Sequence, residues 1–210
     1  MQPKTQYHRE ELLNALSHGL GVLLGILGFF ILWEHHKSDI SWATTSLVIY
    51  SISVILLFSA STAYHAVQDP RVKRKLRVLD HISIYFLIAG TYTPVALITL
   101  SDSQGIPLFF VVWGVAIAGT LFKIFYTGKL EWLSLMLYLV MGWLIVFDFS
   151  FLWSQLSSDG VLLLFLGGAF YTLGTVFYAI RQIPYNHFIW HLFVLGGAVS
   201  HWLLIYIDVL

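Results

Sequence analysis

The chain has 210 residues, of which 58% are hydrophobic and only 10% are charged, and its formal net charge at pH 7 is zero. Soluble proteins average about 25% charged residues, so this composition excludes an ordinary soluble fold. The balanced charge excludes nucleic acid as a partner, because binding to phosphates needs an excess of Lys and Arg. The sequence has no cysteine, which excludes disulfides, thiolate metal ligands and a cysteine nucleophile.

Seven apolar stretches are each long enough to cross a bilayer as a helix, which takes about 20 residues. Lipid offers no partner for the N–H groups of an open sheet edge, so helices are the expected form. We therefore predict an all-α integral membrane protein that forms a single domain over residues 1–210. Its seven transmembrane helices are predicted at residues 12–33, 42–67, 78–100, 106–126, 132–153, 161–181 and 187–210.

The positive charges of the connections predict the orientation of these helices, because cytoplasmic loops are enriched in Lys and Arg. Ten of the eleven basic residues fall on one side of the predicted bundle, and only Lys37 falls on the other. The N-terminus is therefore expected in the cytoplasm and the C-terminus outside. The basic run 71–77 is interpreted mainly as this orientation signal, with a lipid- or partner-binding patch as the alternative.

Polar residues at membrane depth are costly and usually functional. In the predicted spans they gather near the cytoplasmic ends of the second, third and seventh helices. Ser61 and His65 lie four residues apart, as do His187 and His191, so each pair shares one helix face. Asp80 lies at the start of the third span.

Three histidines from two helices predict a metal site at His65, His187 and His191. Three protein nitrogens with one open position are typical of catalytic zinc, and an imidazole set without sulfur suits zinc well. The alternative for any single membrane histidine is a hydrogen-bonded packing residue.

Asp80 and Ser61 are the candidate catalytic residues beside this site. Asp80 can accept a proton, orient water or support a histidine, and the alternative is a salt bridge to Arg77. Ser61 can donate a hydrogen bond to a developing oxyanion, and the alternative is a bond to a backbone carbonyl of its own helix.

The remaining polar residues within the spans have no role that the sequence decides. Glu11, Asn14 and His18 share a face of the first helix and either line a cavity or hold helices together by hydrogen bonds. His201 lies ten residues after His191, about 15 Å along a helix, which is too far to bind the same ion. Asp148 lies in the outer half of the fifth span.

The combination of these motifs resembles the haemolysin III family, which belongs with the progestin and adipoQ receptors and, more broadly, with alkaline ceramidases and related membrane hydrolases. The pattern consists of Ser61-xxx-His65, Leu79-Asp80-His81 and His187-xxx-His191. Three longer stretches also resemble the family, at residues 11–19 (ELLNALSHG), 79–94 (LDHISIYFLIAGTYTP) and 187–198 (HFIWHLFVLGGA).

This resemblance implies a seven-helix bundle with zinc held by His65, His187 and His191, and with Ser61 and Asp80 as further site residues. It also implies a role in membrane homeostasis. We expect a multi-pass protein of the inner (plasma) membrane, with membrane lipids as partners and a lipid or fatty acid as a ligand in the bundle. The sequence leaves the oligomeric state open.

Two functions are compatible with these features. In the first, the chain is a zinc-dependent hydrolase of lipid amides or esters, or a sensor of lipid state built on that site. In the second, it is a non-catalytic regulator of membrane fluidity or a pore-forming haemolysin, and zinc only ties helices together.

Overall fold

A computed structural model describes residues 4–210 of the chain. Residues 4–210 are 86% helical and contain no β-strand. Residues 1–3 of the predicted single domain lie outside this range. Eight α-helices are found in it: α1 Lys4–His35, α2 Ala43–Ala66, α3 Pro70–Pro94, α4 Gly105–Tyr126, α5 Glu131–Gly142, α6 Phe149–Gln155, α7 Ser158–Ala179 and α8 Asn186–Leu204.

Short irregular helices join or extend these elements. Turns of π-helix continue α3 over Val95–Thr99 and α8 over Ile205–Val209, and a 3-10 helix at Leu144–Asp148 links α5 to α6. Together they give seven helical segments long and apolar enough to cross a membrane. The predicted all-α fold with seven spans is therefore confirmed.

Large apolar side chains cover much of the outer surface of the bundle. Phe125 and Phe147, for example, are 75% and 82% exposed. A soluble protein would bury side chains of this size, whereas lipid solvates them. An apolar outer surface of this kind agrees with the membrane-protein composition of the sequence.

The third helix begins at Pro70, eight residues before the predicted start of its span at residue 78. The Asp69 side chain caps it by accepting hydrogen bonds from the backbone N–H groups of Arg71 and Val72, each at 2.9 Å. Proline is well suited to the first helical position because its missing N–H would have no partner there. The basic run predicted as a connection is therefore a helical extension of α3, because capping, not hydropathy, decides where the helix begins.

The fifth span is interrupted, although the sequence predicts one continuous helix over residues 132–153. Helix α5 ends at Gly142, and the 3-10 segment follows. The Tyr92 hydroxyl stabilises this break, because it donates to the Gly142 carbonyl oxygen at 2.8 Å and accepts from the Ile145 N–H at 2.9 Å. Backbone groups released from the helix are thus paired within the protein, as the hydrocarbon region requires.

Helix packing surrounds a cavity inside the bundle. Helices α7 and α8, α2 and α3, and α1 and α2 pack along one another, and α1 also contacts α8. A cavity of about 250 Å³ lies inside the bundle, with walls from α1, α2, α3, α5, α7 and α8. The candidate site lies against this cavity.

Candidate metal centre and cavity

The structure brings His65, His187 and His191 together, as the sequence predicts. One ring nitrogen from each lies within 4.8 Å of the others. The centroid of the His65 ring is 5.1 Å from that of His187 and 4.9 Å from that of His191. This cluster has the size and composition to hold one metal ion.

The ends of two helices position the three rings. His65 lies one residue before the end of α2, and the other two histidines lie in the first two turns of α8. The start of α8 is anchored by Asn186, whose amide donates to the Phe177 carbonyl oxygen at 2.9 Å. The Glu10 carboxylate accepts from the backbone N–H of His187 at 3.2 Å, which satisfies one of the free N–H groups at the beginning of a helix.

Helix α1 fixes the orientation of His65. Its Nδ1 lies 3.3 Å from a carboxylate oxygen of Glu11 and 3.4 Å from the side-chain amide of Asn14. A carboxylate can only accept, so Nδ1 carries the proton and Nε2 keeps a free lone pair. Among residues 4–210, that Nε2 is buried and has no hydrogen-bond partner.

Helix α1 orients His191 in the same way. Its Nδ1 lies 3.3 Å from the backbone oxygen of Asn14 and 3.5 Å from the Ser17 hydroxyl. Donation to the carbonyl again leaves Nε2 free. The His18 ring stacks on the His191 ring, with 3.6 Å between the ring centroids and an angle of 11° between the planes.

The cluster therefore fits a metal ion on its own chemistry. Metal-ligating histidines typically donate their other ring N–H to a carboxylate or a backbone carbonyl, and His65 and His191 show one of each. The unpartnered Nε2 of His65 is the nitrogen that a metal would use. Three imidazole nitrogens match zinc better than the oxygen-seeking ions.

Glu11, Asn14 and His18 have distinct roles within the predicted stripe on α1. Glu11 contacts His65, Asn14 contacts both His65 and His191, and His18 both stacks on His191 and lines the cavity. The stripe thus supports the histidine cluster, and one of its members also lines a cavity.

Asp80 and Ser61 both line the cavity together with His187 and His191. Ser61 is only 2% exposed. The predicted alternative, a salt bridge between Asp80 and Arg77, is not formed in the described part of the chain: Arg77 pairs with Glu131 at 3.3 Å. Asp80 is thus left facing the cavity.

Several polar contacts near the cavity escaped the sequence analysis. Ser17 lies beside His191, three residues after Asn14, a spacing that places it on the same face of α1. Lys73 donates to the second oxygen of Glu11 and to the Tyr64 carbonyl. Lys123 is fully buried and pairs with Glu131 at 2.7 Å.

His81 also contacts Glu131, because its Nδ1 lies 3.4 Å from the Glu131 carboxylate. His81 therefore directs its ring to α5, and as the direct neighbour of Asp80 it does not share a helix face with it. Asp148, left undecided by the sequence, accepts from the Ser103 hydroxyl and the Gln104 N–H at 2.9 Å each. It ties the end of the 3-10 helix to the connection between α3 and α4.

Most of the cavity wall is apolar. Its sides come from aliphatic residues of α3 and α5 and from the interrupted fifth span, among them Ile84, Leu87, Ile88, Leu139 and Val146. His201 also lines it, and it is not among the three histidines whose ring nitrogens lie together. A largely apolar space that also presents Asp80, Ser61 and two of the three histidines is suited to an amphipathic ligand.

Comparisons with known proteins show which proteins this chain resembles. The model of the family described as "Haemolysin-III related" matches residues 6–202. The chain is 43% identical to "Hemolysin-3 homolog" of Bacillus subtilis (strain 168), with 91% of each chain covered. It is 41% identical to "Hemolysin-3" of Bacillus cereus, covering 94% of this chain and 91% of the relative.

A more distant relative is found in animals. The chain is 30% identical to human "Monocyte to macrophage differentiation factor" over 202 residues, covering 92% of this chain and 82% of the relative. The matched family region, residues 6–202, contains the histidine cluster, Asp80 and the residues that line the cavity, and it ends two residues before the end of α8.

Proposed function

The chain belongs to the haemolysin-III-related family of multi-pass membrane proteins, and from this we propose that it is a zinc-dependent hydrolase of membrane lipids that adjusts the composition of the inner (plasma) membrane. The observation that carries the proposal is the meeting of three metal-competent histidines with an apolar cavity that also presents Asp80 and Ser61. The bond cleaved is an amide or an ester.

His65, His187 and His191 would hold the zinc ion. When bound there, zinc supplies a Lewis acid for the carbonyl group to be cleaved and for the attacking water. Glu11 keeps His65 in the tautomer that leaves Nε2 free, and the Asn14 carbonyl does the same for His191. These contacts thus leave the Nε2 atoms of His65 and His191 free to bind the ion.

Asp80 is proposed as the group that handles protons. Its carboxylate faces the cavity, is not engaged by Arg77, and lies in a wall shared with two of the histidines. A carboxylate in this position can take a proton from water and return it to the leaving group. Ser61, in the same wall, is proposed to donate a hydrogen bond to the oxygen on which negative charge develops.

The apolar part of the cavity is proposed to hold one hydrocarbon chain of the substrate. Its volume of about 250 Å³ is slightly below the range of about 300–1,000 Å³ that is typical of pockets for compact ligands. A single chain fits such a space better than a bulky polar head does. We therefore expect a lipid or a released fatty acid as the ligand.

The charge distribution supports placing this chemistry at the inner leaflet. Five basic residues lie on the N-terminal part of α3, and the histidine cluster lies at the same end of the bundle, next to Lys73. With the N-terminus in the cytoplasm, the site would act on lipids at the cytoplasmic side.

A second candidate is a non-catalytic protein, either a regulator of membrane fluidity or a pore-forming haemolysin. The names of two bacterial relatives, "Hemolysin-3 homolog" and "Hemolysin-3", favour the haemolysin reading. In that case the metal would only connect α2 to α8, and Asp80 would have no chemical role.

Replacement of Asp80 by asparagine separates the two candidates. Asn keeps the shape of the side chain but cannot accept a proton, and general acid–base groups contribute about 10²–10⁴-fold in rate. We expect Asp80→Asn to retain zinc and to stop fatty-acid release from defined lipids in vesicles containing the purified protein. Asp159→Asn, on α7 far along the chain from the cluster, is the matched control and should behave like the wild type.

Equal fatty-acid release by zinc-loaded wild type and Asp80→Asn would refute the role of Asp80. No release by the wild type from lipid amides or esters, with zinc bound, would favour the non-catalytic candidate.

A further inference from the structure

His201 is a further polar residue of the cavity wall, and the metal centre does not use it. His201 lines the cavity, and both of its ring nitrogens are buried without a hydrogen-bond partner in the described part of the chain. It follows His191 by ten residues on α8, which places it about 15 Å along the helix axis. The two histidines therefore lie at different depths of one cavity.

Helix α7 holds the His201 ring in place. Gly167 packs directly against the ring, so that any side chain at that position would overlap it. The centroid of the Tyr171 ring lies 5.6 Å from that of the His201 ring, with an angle of 52° between the two ring planes. The imidazole is thus packed between α7 and α8 at the cavity wall.

A buried imidazole without partners is destabilising, because its N–H group and its lone pair have both lost water. A neutral imidazole has one donor nitrogen and one acceptor nitrogen. An unsubstituted hydrocarbon chain can satisfy neither of them. A hydroxyl group can satisfy either one, because it both donates and accepts.

We infer that His201 is a specificity residue that selects lipid chains carrying a hydroxyl group about 15 Å from the carbonyl group held at the histidine cluster. This inference rests on the proposed function, because it assumes that the carbonyl group of the same lipid molecule lies at the histidine cluster. It adds the chemical class of the ligand, an oxygenated acyl chain.

The test compares the binding of two fatty acids of equal length to the purified, zinc-loaded protein. One carries a hydroxyl group about 15 Å from its carboxyl group when extended, and the other is unsubstituted. One neutral hydrogen bond predicts a roughly two- to tenfold tighter binding of the hydroxylated acid to the wild type. His201→Leu should abolish this preference without weakening the binding of the unsubstituted acid, and His201→Gln should retain part of it.

Val194→Leu is the matched control, because Val194 lines the same cavity between the two histidines. It narrows the space and should weaken both acids alike. Equal binding of the two acids by the wild type would overturn the inference, and so would an equal loss of both acids in His201→Leu. If His201→Leu does not fold, the comparison in the wild type decides alone.

Binding and hydrolysis are measured separately, so the two claims can fail independently. A binding preference that depends on His201 in a protein that cleaves no lipid would refute the proposed hydrolase and support the selective cavity. Lipid cleavage without any preference would do the reverse.

Discussion

Glu11 connects the histidine cluster to the charge of α3. One carboxylate oxygen lies 3.3 Å from His65 Nδ1, and the other accepts from Lys73. The Lys73 ammonium also lies 4.7 Å from the centre of the Tyr64 ring. A single carboxylate on α1 thus contacts both the candidate metal ligand His65 on α2 and the N-terminal part of α3.

Loss of this carboxylate should weaken the metal site without destroying it. Residues that orient a metal-ligating histidine typically contribute about 10–100-fold to metal affinity. We expect Glu11→Ala to raise the zinc dissociation constant by that factor in a competition titration with a chelator. Glu34→Ala, an exposed carboxylate at the other end of the same helix, should leave it unchanged.

An unchanged affinity in Glu11→Ala would mean that the Glu11 carboxylate does not orient His65 for metal binding. A complete loss of zinc together with loss of the fold would instead identify Glu11 as a structural link between α1, α2 and α3.

The sequence predicts the three histidines because helix spacing and depth can be derived from it. Residues four apart share a face, and the start of one span lies at the depth where an antiparallel span ends. The contacts of Ser17, Lys73 and Glu131 could not be predicted in this way. They depend on how far each helix is rotated about its axis, and an apolar helix surface leaves this rotation undetermined.

The interrupted fifth span is the element-scale feature that hydropathy missed. Residues 143–147 are all apolar, and Gly142 and Asp148 at the two ends of the break do not by themselves interrupt the hydropathy of the span. The structure stabilises it from another helix, through the Tyr92 hydroxyl of α3. Residues of the resulting 3-10 segment, including Ile145 and Val146, form part of the cavity wall.

Removal of this hydroxyl should destabilise the fold. In Tyr92→Phe, the Gly142 carbonyl and the Ile145 N–H both lose a partner, and hydrogen bonds between membrane helices contribute about 1–2 kcal/mol in model peptides. We expect a lower midpoint for unfolding of the purified protein in a denaturing detergent. Tyr126→Phe, at an exposed tyrosine, is the control, and equal midpoints for both variants would contradict the proposed role of Tyr92.

The direction of the whole molecule in the membrane decides which leaflet the cavity serves. Ten of its eleven basic residues are predicted on the cytoplasmic side, with only Lys37 outside. The early start of α3 does not alter this distribution, because the run 71–77 stays at the same end of the bundle as a helix. The number of spans is odd, so the two termini lie on opposite sides.

Reporter fusions test this orientation. An enzyme reporter active only in the cytoplasm should be active when fused after Arg74 and inactive when fused after Leu210. The reverse pattern would place the histidine cluster at the outer leaflet, and the lipids of that leaflet would then be the candidate substrates.

Elemental analysis of the purified protein tests the zinc centre most directly. The wild type should contain about one zinc per chain, and His65→Ala, His187→Ala and His191→Ala should each lose it. His201→Ala should keep it, because His201 is about 15 Å from His191 along α8. Zinc content that is unchanged in all three ligand variants would contradict the assignment of the site.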